Sequence, residues 1–164
     1  MSAAANRKEL SNNFYSEVKK LRPRYPADRN QAMLLPALHL AQKEKGWISE
    51  SVMDEVAAAI DIPPPVVREV VTFYSMYNLK SVGKYHLQFC TNISCCLMGS
   101  DELLEHCEKK LGIEAGETTS DNRFTISHVE CLGSCGTAPV VQINDDYHEN
   151  LNSEKLDELL GQLK

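Results

Sequence analysis

Residues 84–95 have the sequence KYHLQFCTNISC, and this stretch decides the fold of the second half of the chain. Its apolar side chains Tyr85, Leu87 and Phe89 alternate with polar ones. Strict alternation is typical of a half-buried β-strand, because successive side chains of a strand point to opposite faces. The pattern therefore predicts a strand that ends at Cys90.

The same stretch contains the first of two cysteine pairs. Cys90 and Cys95 have the spacing C-x₄-C, and Cys131 and Cys135 have the spacing C-x₃-C within ECLGSCG at residues 130–136. Each pair is short enough for one loop to offer two thiolates to one ion. Four converging thiolates suit a soft metal or an iron–sulfur cluster, provided that the fold brings both loops together.

Further strands are predicted on both sides of the second pair. Residues 123–129 alternate and lead into Cys131, and residues 140–143 form a short apolar run before an acidic turn at residues 144–146. The first two strands are separated by a helical pattern, so a parallel, right-handed crossover is expected between them. Both cysteine loops would then follow strand ends, where functional loops commonly meet.

Two helices complete this half and give the order β-α-β-β-α. The first is predicted from about Asp101 with Ser100 as its N-cap, and the second from about Ser153. Cys107 lies on the apolar face of the first helix. Free cysteine is commonly buried, so Cys107 is predicted to be a core residue and not a ligand.

The first half of the chain has helical periodicity. One helix is predicted from about Leu10 and closed by Pro23, and a second from Asp28 to Lys45, with Gly46 as a C-terminal stop. This second segment contains a proline, Pro36, which is expected to kink it or to leave backbone groups unpaired.

Two more helices are predicted before residue 80. Ser49 is a natural N-cap, with Ile48 and Met53 placed as a hydrophobic staple. The proline-rich residues 61–65 then break the chain, and a fourth helix is expected to continue towards Tyr77. Four aromatic and apolar residues near its end are predicted to be core or interface: Phe73, Tyr74, Met76 and Tyr77.

Composition excludes several classes of protein. The 164 residues are 43% hydrophobic and 24% charged, with a formal net charge of −6, and the fourth helix offers one basic residue, Arg68. A helix-turn-helix DNA reader needs a basic face, so no nucleic-acid partner is expected. No apolar run approaches the roughly 20 residues of a membrane helix, so no direct membrane insertion is expected. The first residues lack the apolar core of a secretory signal, which favours an intracellular protein.

Four interpretations of the cysteines remain open on spacing. Structural zinc often uses C-x₂₋₄-C loops, and a thioredoxin-type dithiol needs a C-x-x-C motif that is absent. A disulfide framework is disfavoured in a reducing compartment. A [2Fe–2S] cluster needs two thiolates on each iron, which wider loops supply more easily. Gly133 and Gly136 would let backbone N–H groups approach the sulfurs. The spacing favours iron–sulfur over zinc.

Five segments can be compared jointly with known families: residues 71–77, 90–95, 112–119, 130–135 and 138–146. Together they closely resemble the thioredoxin-like [2Fe–2S] subunit of respiratory complex I, and the resemblance covers nearly the whole chain. It implies an α+β protein in which a small helical bundle precedes a thioredoxin-like β-α-β-β-α ferredoxin domain. The expected limits are residues 1–80 for the helical module and 81–164 for the [2Fe–2S] domain.

The resemblance also implies the ligands of one [2Fe–2S] cluster per chain. These are Cys90 and Cys95 as one thiolate pair and Cys131 and Cys135 as the other. Cys96 is a weak competitor for Cys95. The histidines are assigned no ligand role.

By the same resemblance, the chain is expected to be an electron-transfer subunit of NADH:quinone oxidoreductase. FMN and NADH would be bound by a partner flavoprotein subunit, on which the helical module docks; the chain itself has no G-x-G-x-x-G motif and no expected substrate site. Other peripheral-arm iron–sulfur subunits are expected partners. The expected location is cytoplasmic, peripheral to the inner or plasma membrane, or on the matrix side in a mitochondrion. The alternatives are the equivalent subunit of an NAD-linked hydrogenase or formate dehydrogenase, and a zinc-stabilised interaction module.

Overall fold

A computed structural model describes residues 8–163. The chain divides into two compact units between Ser81 and Val82, and each is described by itself. Residues 1–7 and Lys164, which the predicted modules include, lie outside the described residues. Within residues 8–163, no helix has both the length and the apolar character needed to cross a bilayer.

The first unit is helical over its described residues. Its α-helices are α1 Asn12–Leu21, α2 Leu34–Lys45, α3 Glu50–Ile60 and α4 Pro64–Phe73, with 3₁₀ turns at Arg22–Arg24 and Asn30–Met33. The apolar stripes of these helices meet in one core that includes Phe14, Leu38, Val56 and Val67. Burial of these stripes is what holds helices of this length together, since short helices are marginal alone.

The predicted start of α3 is confirmed. The backbone N–H of Val52 donates to Ser49 Oγ at 3.2 Å, which makes Ser49 the N-cap. Ile48 and Met53 are both buried in the core, as a hydrophobic staple requires.

Two predictions for the other helices are wrong. α2 begins at Leu34 and not near Asp28, so Pro36 is its third residue. The first four N–H groups of a helix have no intrahelical partner, and proline is therefore tolerated there without the expected kink. α4 ends at Phe73, where the backbone of Tyr74 becomes extended.

The four residues predicted as core or interface near the end of α4 differ in burial. Tyr77 is buried, and its hydroxyl donates to the Leu35 carbonyl at 3.2 Å. Phe73 is 79% exposed, and Tyr74 and Met76 are also exposed, so these three do not belong to the core of this unit.

The second unit is a sheet with helices packed on it. Its elements are β1 Tyr85–Cys90, α5 Ile93–Leu97, α6 Ser100–Leu111, β2 Phe124–Val129, β3 Val141–Ile143, β4 Asp146–His148 and α7 Ser153–Gln162, with a 3₁₀ turn at Cys135–Thr137. The strand order is β2-β1-β3-β4. β1 pairs parallel with β2, as predicted, and β3 and β4 are antiparallel additions.

Because of the register of the parallel pair, both cysteine loops begin at the same end of the sheet, the carboxyl ends of β1 and β2. Tyr85 pairs with Phe124 at the start, and Cys90 pairs with Val129 at the end. Gly83 permits the close approach before the first pair, because a Cβ there would lie 2.9 Å from backbone atoms of Arg123 and Phe124. The core of the sheet includes Leu87, Phe89, Ile126 and Leu156.

Three details of the predicted β-α-β-β-α order are corrected. The short helix α5 follows β1 directly, and the strand β4 occupies part of the segment predicted as an acidic turn. Both elements are too short for periodicity to detect. Ser100 is the first residue of α6 and not its N-cap; that position belongs to Gly99, whose φ is +92°. Glycine adopts this left-handed conformation without steric cost.

Candidate metal centre

The fold places all four predicted ligands at the carboxyl ends of β1 and β2. Cys90 is the last residue of β1, and Cys95 lies in α5. Cys131 follows β2 in the next loop, and Cys135 begins the 3₁₀ turn beyond it. Since β1 and β2 are parallel neighbours, their following loops leave the sheet side by side.

Hydrogen bonds join these two loops beyond the last strand pair. The Thr91 N–H donates to the Val129 carbonyl at 3.0 Å. The side-chain amide of Asn92 donates to the Glu130 carbonyl at 3.1 Å. The first cysteine loop is therefore fixed against the segment that enters the second.

The two pairs differ in exposure. Cys90 and Cys95 are 3% and 2% exposed and pack with Ala138, Val140 and Leu132 in a small apolar cluster. Cys131 and Cys135 are exposed. The site is thus buried on the side of the sheet and open on the side of the second loop. The Ala138–Pro139 peptide bond beside the buried pair is cis.

The pKa values of the buried pair are shifted by groups of both cysteine loops. Burial opposes ionisation of Cys90, yet backbone N–H groups of Asn92 and Leu132, and the thiols of Cys95 and Cys131, lower its pKa overall. Burial, together with the neighbouring Cys90, raises the pKa of Cys95 to about 11, and Cys135 contributes to the rise. Cys131 and Cys135, in the second loop, therefore act on the buried pair in the first.

A buried hydroxyl fixes the end of β1. Ser100 is fully buried, and its Oγ donates to the Cys90 carbonyl at 2.6 Å. The N-cap role predicted for Ser100 is wrong because its side chain is directed at β1 and not at the first turn of α6. This contact ties the start of α6 to the backbone of the first cysteine.

The exposed loop is held by side chains from β4 and the residue after it. The Tyr147 hydroxyl donates to the Leu132 carbonyl at 3.1 Å. The Glu149 carboxylate accepts from the hydroxyls of Ser134 and Thr137, the latter at 2.7 Å. Within the loop, the Gly133 N–H donates to Cys131 Sγ at 3.3 Å.

The remaining two cysteines have other surroundings. Cys96 Sγ lies 3.3 Å from the Thr91 carbonyl and 3.5 Å from Asp101 Oδ1. Cys107 is fully buried in the core of the sheet, as predicted, and burial raises its pKa to about 12.

Two histidines have side-chain partners, and a third is exposed. His86 Nε2 lies 2.8 Å from Ser127 Oγ, and burial lowers its pKa. His106 pairs with Asp157 at 2.8 Å. His128, which lies near Cys131 in sequence, is exposed.

The donor set suits an iron–sulfur cluster. Four thiols, amide N–H groups directed at sulfur and a small apolar lining are the surroundings such clusters use. Among residues 8–163, no three His, Cys, Asp or Glu side chains form a group arranged to hold a metal ion. The assignment of the four individual ligands therefore stays a prediction.

Comparison with known proteins identifies the family. The family model described as thioredoxin-like [2Fe-2S] ferredoxin matches residues 18–164. The chain belongs to this family. The predicted α+β class, with a helical region before a thioredoxin-like ferredoxin domain, is confirmed, and so is the [2Fe–2S] cluster as its cofactor.

Relatives match over most of their length. The chain is 47% identical over 160 residues to the E subunit of NADH-quinone oxidoreductase from Rickettsia felis, covering 93% of this chain and 96% of that protein. It is 49% identical over 144 residues to an E subunit, the one numbered 2, of NADH-quinone oxidoreductase from Rhizobium meliloti, covering 88% of this chain and 84% of that protein.

A solved structure shares the fold. A crystal structure of an NAD⁺-reducing [NiFe]-hydrogenase in the H₂-reduced state superposes with a TM-score of 0.70 at 23% identity. The match covers 80% of this chain but only 22% of the hydrogenase chain. At this identity the likeness shows the fold alone.

Sequence reasoning misses the groups that support the cysteines. It predicts a cap role for Ser100, and it gives no role to Tyr147 and Glu149, which lie beside the predicted acidic turn. Their partners are a backbone carbonyl for Ser100 and Tyr147 and loop hydroxyls for Glu149. No residue pattern indicates such pairs before the strand order is known.

Proposed function

We propose that this chain is an electron-transfer subunit of an NADH:quinone oxidoreductase. Its [2Fe–2S] cluster would exchange electrons with FMN in a partner subunit that binds NADH. The observation that carries this proposal is the near full-length match, at 47% identity, to a protein named as a subunit of that oxidoreductase. A location peripheral to the membrane, with the other iron–sulfur subunits of the complex as neighbours, is part of the same proposal.

The proposed ligands are Cys90, Cys95, Cys131 and Cys135. Their support is the convergence of both loops at one end of the parallel strand pair and the effect of Cys131 and Cys135 on the pKa values of the buried pair. When bound, the cluster supplies one-electron storage. The chain contributes backbone N–H groups near Cys90 and Cys131, which stabilise negative charge on sulfur, and an apolar wall behind Cys90 and Cys95, which excludes water from that side.

The two units would have different tasks. We assign residues 81–164 to the cluster and residues 1–80 to docking on the flavoprotein. Exposed apolar side chains support a docking role, since such groups often mark interaction sites. In the helical unit they include Phe73, Met76 and Leu79.

The equivalent subunit of an NAD-linked hydrogenase is the second candidate. The fold likeness to the NAD⁺-reducing hydrogenase is compatible with it, but the Rickettsia felis and Rhizobium meliloti relatives are both named for the quinone-linked complex. Gene neighbourhood discriminates between the two candidates: membrane-arm genes support the first, and hydrogenase genes support the second.

The proposal is tested by co-expressing the chain with the NADH-binding flavoprotein encoded in the same genome. We expect the two to co-purify, and we expect NADH to bleach the visible absorption of the cluster and to produce the EPR signal of a reduced [2Fe–2S] centre. The control is the cluster-loaded chain alone with NADH, which we expect to stay oxidised because the sequence has no G-x-G-x-x-G motif. A loaded chain that neither binds the flavoprotein nor is reduced in its presence would contradict the proposal.

A further inference from the structure

We propose that Glu149 and Tyr147 are positioning residues for Cys131 and Cys135. They hold the exposed cysteine loop in the shape that ligates the cluster, without touching the cluster themselves. This inference rests on the proposed ligand assignment, because it concerns only the pair that lies outside the core.

The contacts fall beside each of the two exposed cysteines. Tyr147 donates to the carbonyl of Leu132, the residue after Cys131. Glu149 accepts from the hydroxyls of Ser134, the residue before Cys135, and of Thr137, two residues after it. The two side chains thus contact the loop at residues that neighbour both cysteines in sequence.

Backbone hydrogen bonds attach the next residues of the chain to the same cysteine loop. The Asn150 N–H donates to the Thr137 carbonyl at 2.8 Å, and the Leu151 N–H donates to the Pro139 carbonyl at 3.2 Å. Residues 146–151, which we call the strap, therefore run along the loop from Leu132 to Pro139. β4, which begins the strap, is anchored to the sheet by its pairing with β3.

The exposed pair needs this support more than the buried pair does. Cys90 and Cys95 lie in a strand and a helix and are packed into an apolar cluster, so the fold holds them. Cys131 and Cys135 are exposed; Cys131 lies in the loop after β2, and Cys135 begins the 3₁₀ turn. Groups around the direct ligands fix ligand orientation in metal sites, and their loss commonly weakens metal binding by about 10- to 100-fold.

The role of Glu149 depends on two accepted hydrogen bonds and not on its charge alone. Glutamine at this position keeps an oxygen that accepts from Ser134 and Thr137 but loses the negative charge. Alanine loses both. The pair Glu149→Ala and Glu149→Gln therefore separates positioning from a charge effect.

The test measures the rate at which an iron chelator strips the cluster from the full reconstituted chain, followed by visible absorption. We expect Glu149→Ala to release iron about tenfold faster than the unchanged chain, and Tyr147→Phe several-fold faster. We expect Glu149→Gln to remain within about twofold, since its amide oxygen replaces the acceptor. The charge control is Asp145→Asn, an exposed carboxylate in the turn before β4, which we expect to behave as the unchanged chain.

A spectroscopic readout accompanies the rate. We expect the reduced-state EPR line shape to broaden in Glu149→Ala and to be unchanged in Glu149→Gln, because disorder of two ligands changes the surroundings of one iron. Circular dichroism of each variant identifies any that fail to fold, and in that case Tyr147→Phe carries the comparison with the unchanged chain.

The outcomes separate this inference from the ligand proposal. If the unchanged chain binds no [2Fe–2S] cluster, both fail. If it binds the cluster and Glu149→Ala and Tyr147→Phe release iron at its rate, only the positioning role fails. Equal acceleration in Glu149→Ala, Glu149→Gln and Asp145→Asn would show a charge effect and would also overturn the positioning role.

Discussion

The two pairs of cysteines that we propose as cluster ligands are held in place by different physical means. Cys90 and Cys95 lie in regular structure, are nearly inaccessible, and pack against apolar residues beside the sheet. Cys131 and Cys135 are exposed and belong to a loop held by hydrogen bonds from the strap. One half of the site is thus formed by the folding of the core, and the other half is formed by local polar contacts.

This difference has a consequence for how the site responds to change. A core residue packs against many neighbours, so its contacts are lost only when the whole unit unfolds. A surface loop can open locally, and this costs less free energy than global unfolding. We therefore expect changes near the buried pair to lower the stability of the unit. We expect changes near the exposed pair to alter how fast the cluster is lost.

The largest effect is expected from the ligands themselves. Replacing any one of Cys90, Cys95, Cys131 or Cys135 by serine is expected to remove or perturb the cluster, measured as iron and acid-labile sulfide per chain. Without the cluster, the two buried positions are expected to lose about 1–3 kcal/mol of unfolding free energy in urea, because a hydroxyl enters an apolar environment.

The two exposed positions are expected to differ from the buried ones in their effect on stability. Cys131→Ser and Cys135→Ser in the cluster-free chain are expected to leave unfolding free energy unchanged within about 0.5 kcal/mol, as is usual for surface substitutions. Cys107→Ala is the control for the cluster, which it is expected to retain. Equal destabilisation by serine at Cys90 and Cys131 would show that the two halves do not differ as described.

A backbone change in the exposed loop is expected to have the next largest effect. Gly133 has a φ of +75°, where a Cβ is unfavourable although there is space for it. Gly133→Ala therefore strains the loop by about 1–2 kcal/mol, and chelator-driven iron release is expected to rise roughly 5- to 30-fold.

Gly136 provides the matched control. It lies in the same loop, has no positive φ, and also has open space at its Cβ position. Gly136→Ala is expected to release iron at the rate of the unchanged chain. Similar rates of iron release in both alanine variants would show that the site does not require the left-handed conformation of Gly133.

The smallest effect is expected at the hydroxyl beside the buried pair. Ser100→Ala removes the hydrogen bond to the Cys90 carbonyl and is expected to lower unfolding free energy by about 1 kcal/mol, measured by urea denaturation. Ser94→Ala, at a partly exposed position in α5, is the control and is expected to be near neutral. A Ser100→Ala chain as stable as the control would show that this contact does not hold β1 to α6.

Much of the fold follows from pattern in the sequence. The alternation before Cys90 predicts β1, the N-cap at Ser49 predicts the start of α3, and the apolar face around Cys107 predicts α6 and its buried thiol. These predictions succeed because periodicity and capping are local properties of the chain.

The missed features depend on tertiary structure or on length. α5 and β4 have five and three residues, too few to show a period. The predicted start of α2 near Asp28 would place Pro36 in the helix interior, where proline is unfavourable. The helix begins at Leu34 instead, so Pro36 lies in its first turn, where proline is tolerated. Glu149 and Tyr147 act on a loop that lies beside them only after β3 has paired with β1 and β4 has paired with β3.

The central claim is that four of the six cysteines hold the cluster. It is tested most directly by the double variant Cys96→Ser, Cys107→Ala, which keeps only Cys90, Cys95, Cys131 and Cys135. After anaerobic reconstitution, we expect about two iron and two acid-labile sulfide per chain, with the EPR signal of the unchanged protein. A folded double variant that is colourless, or that binds zinc without sulfide, would contradict it.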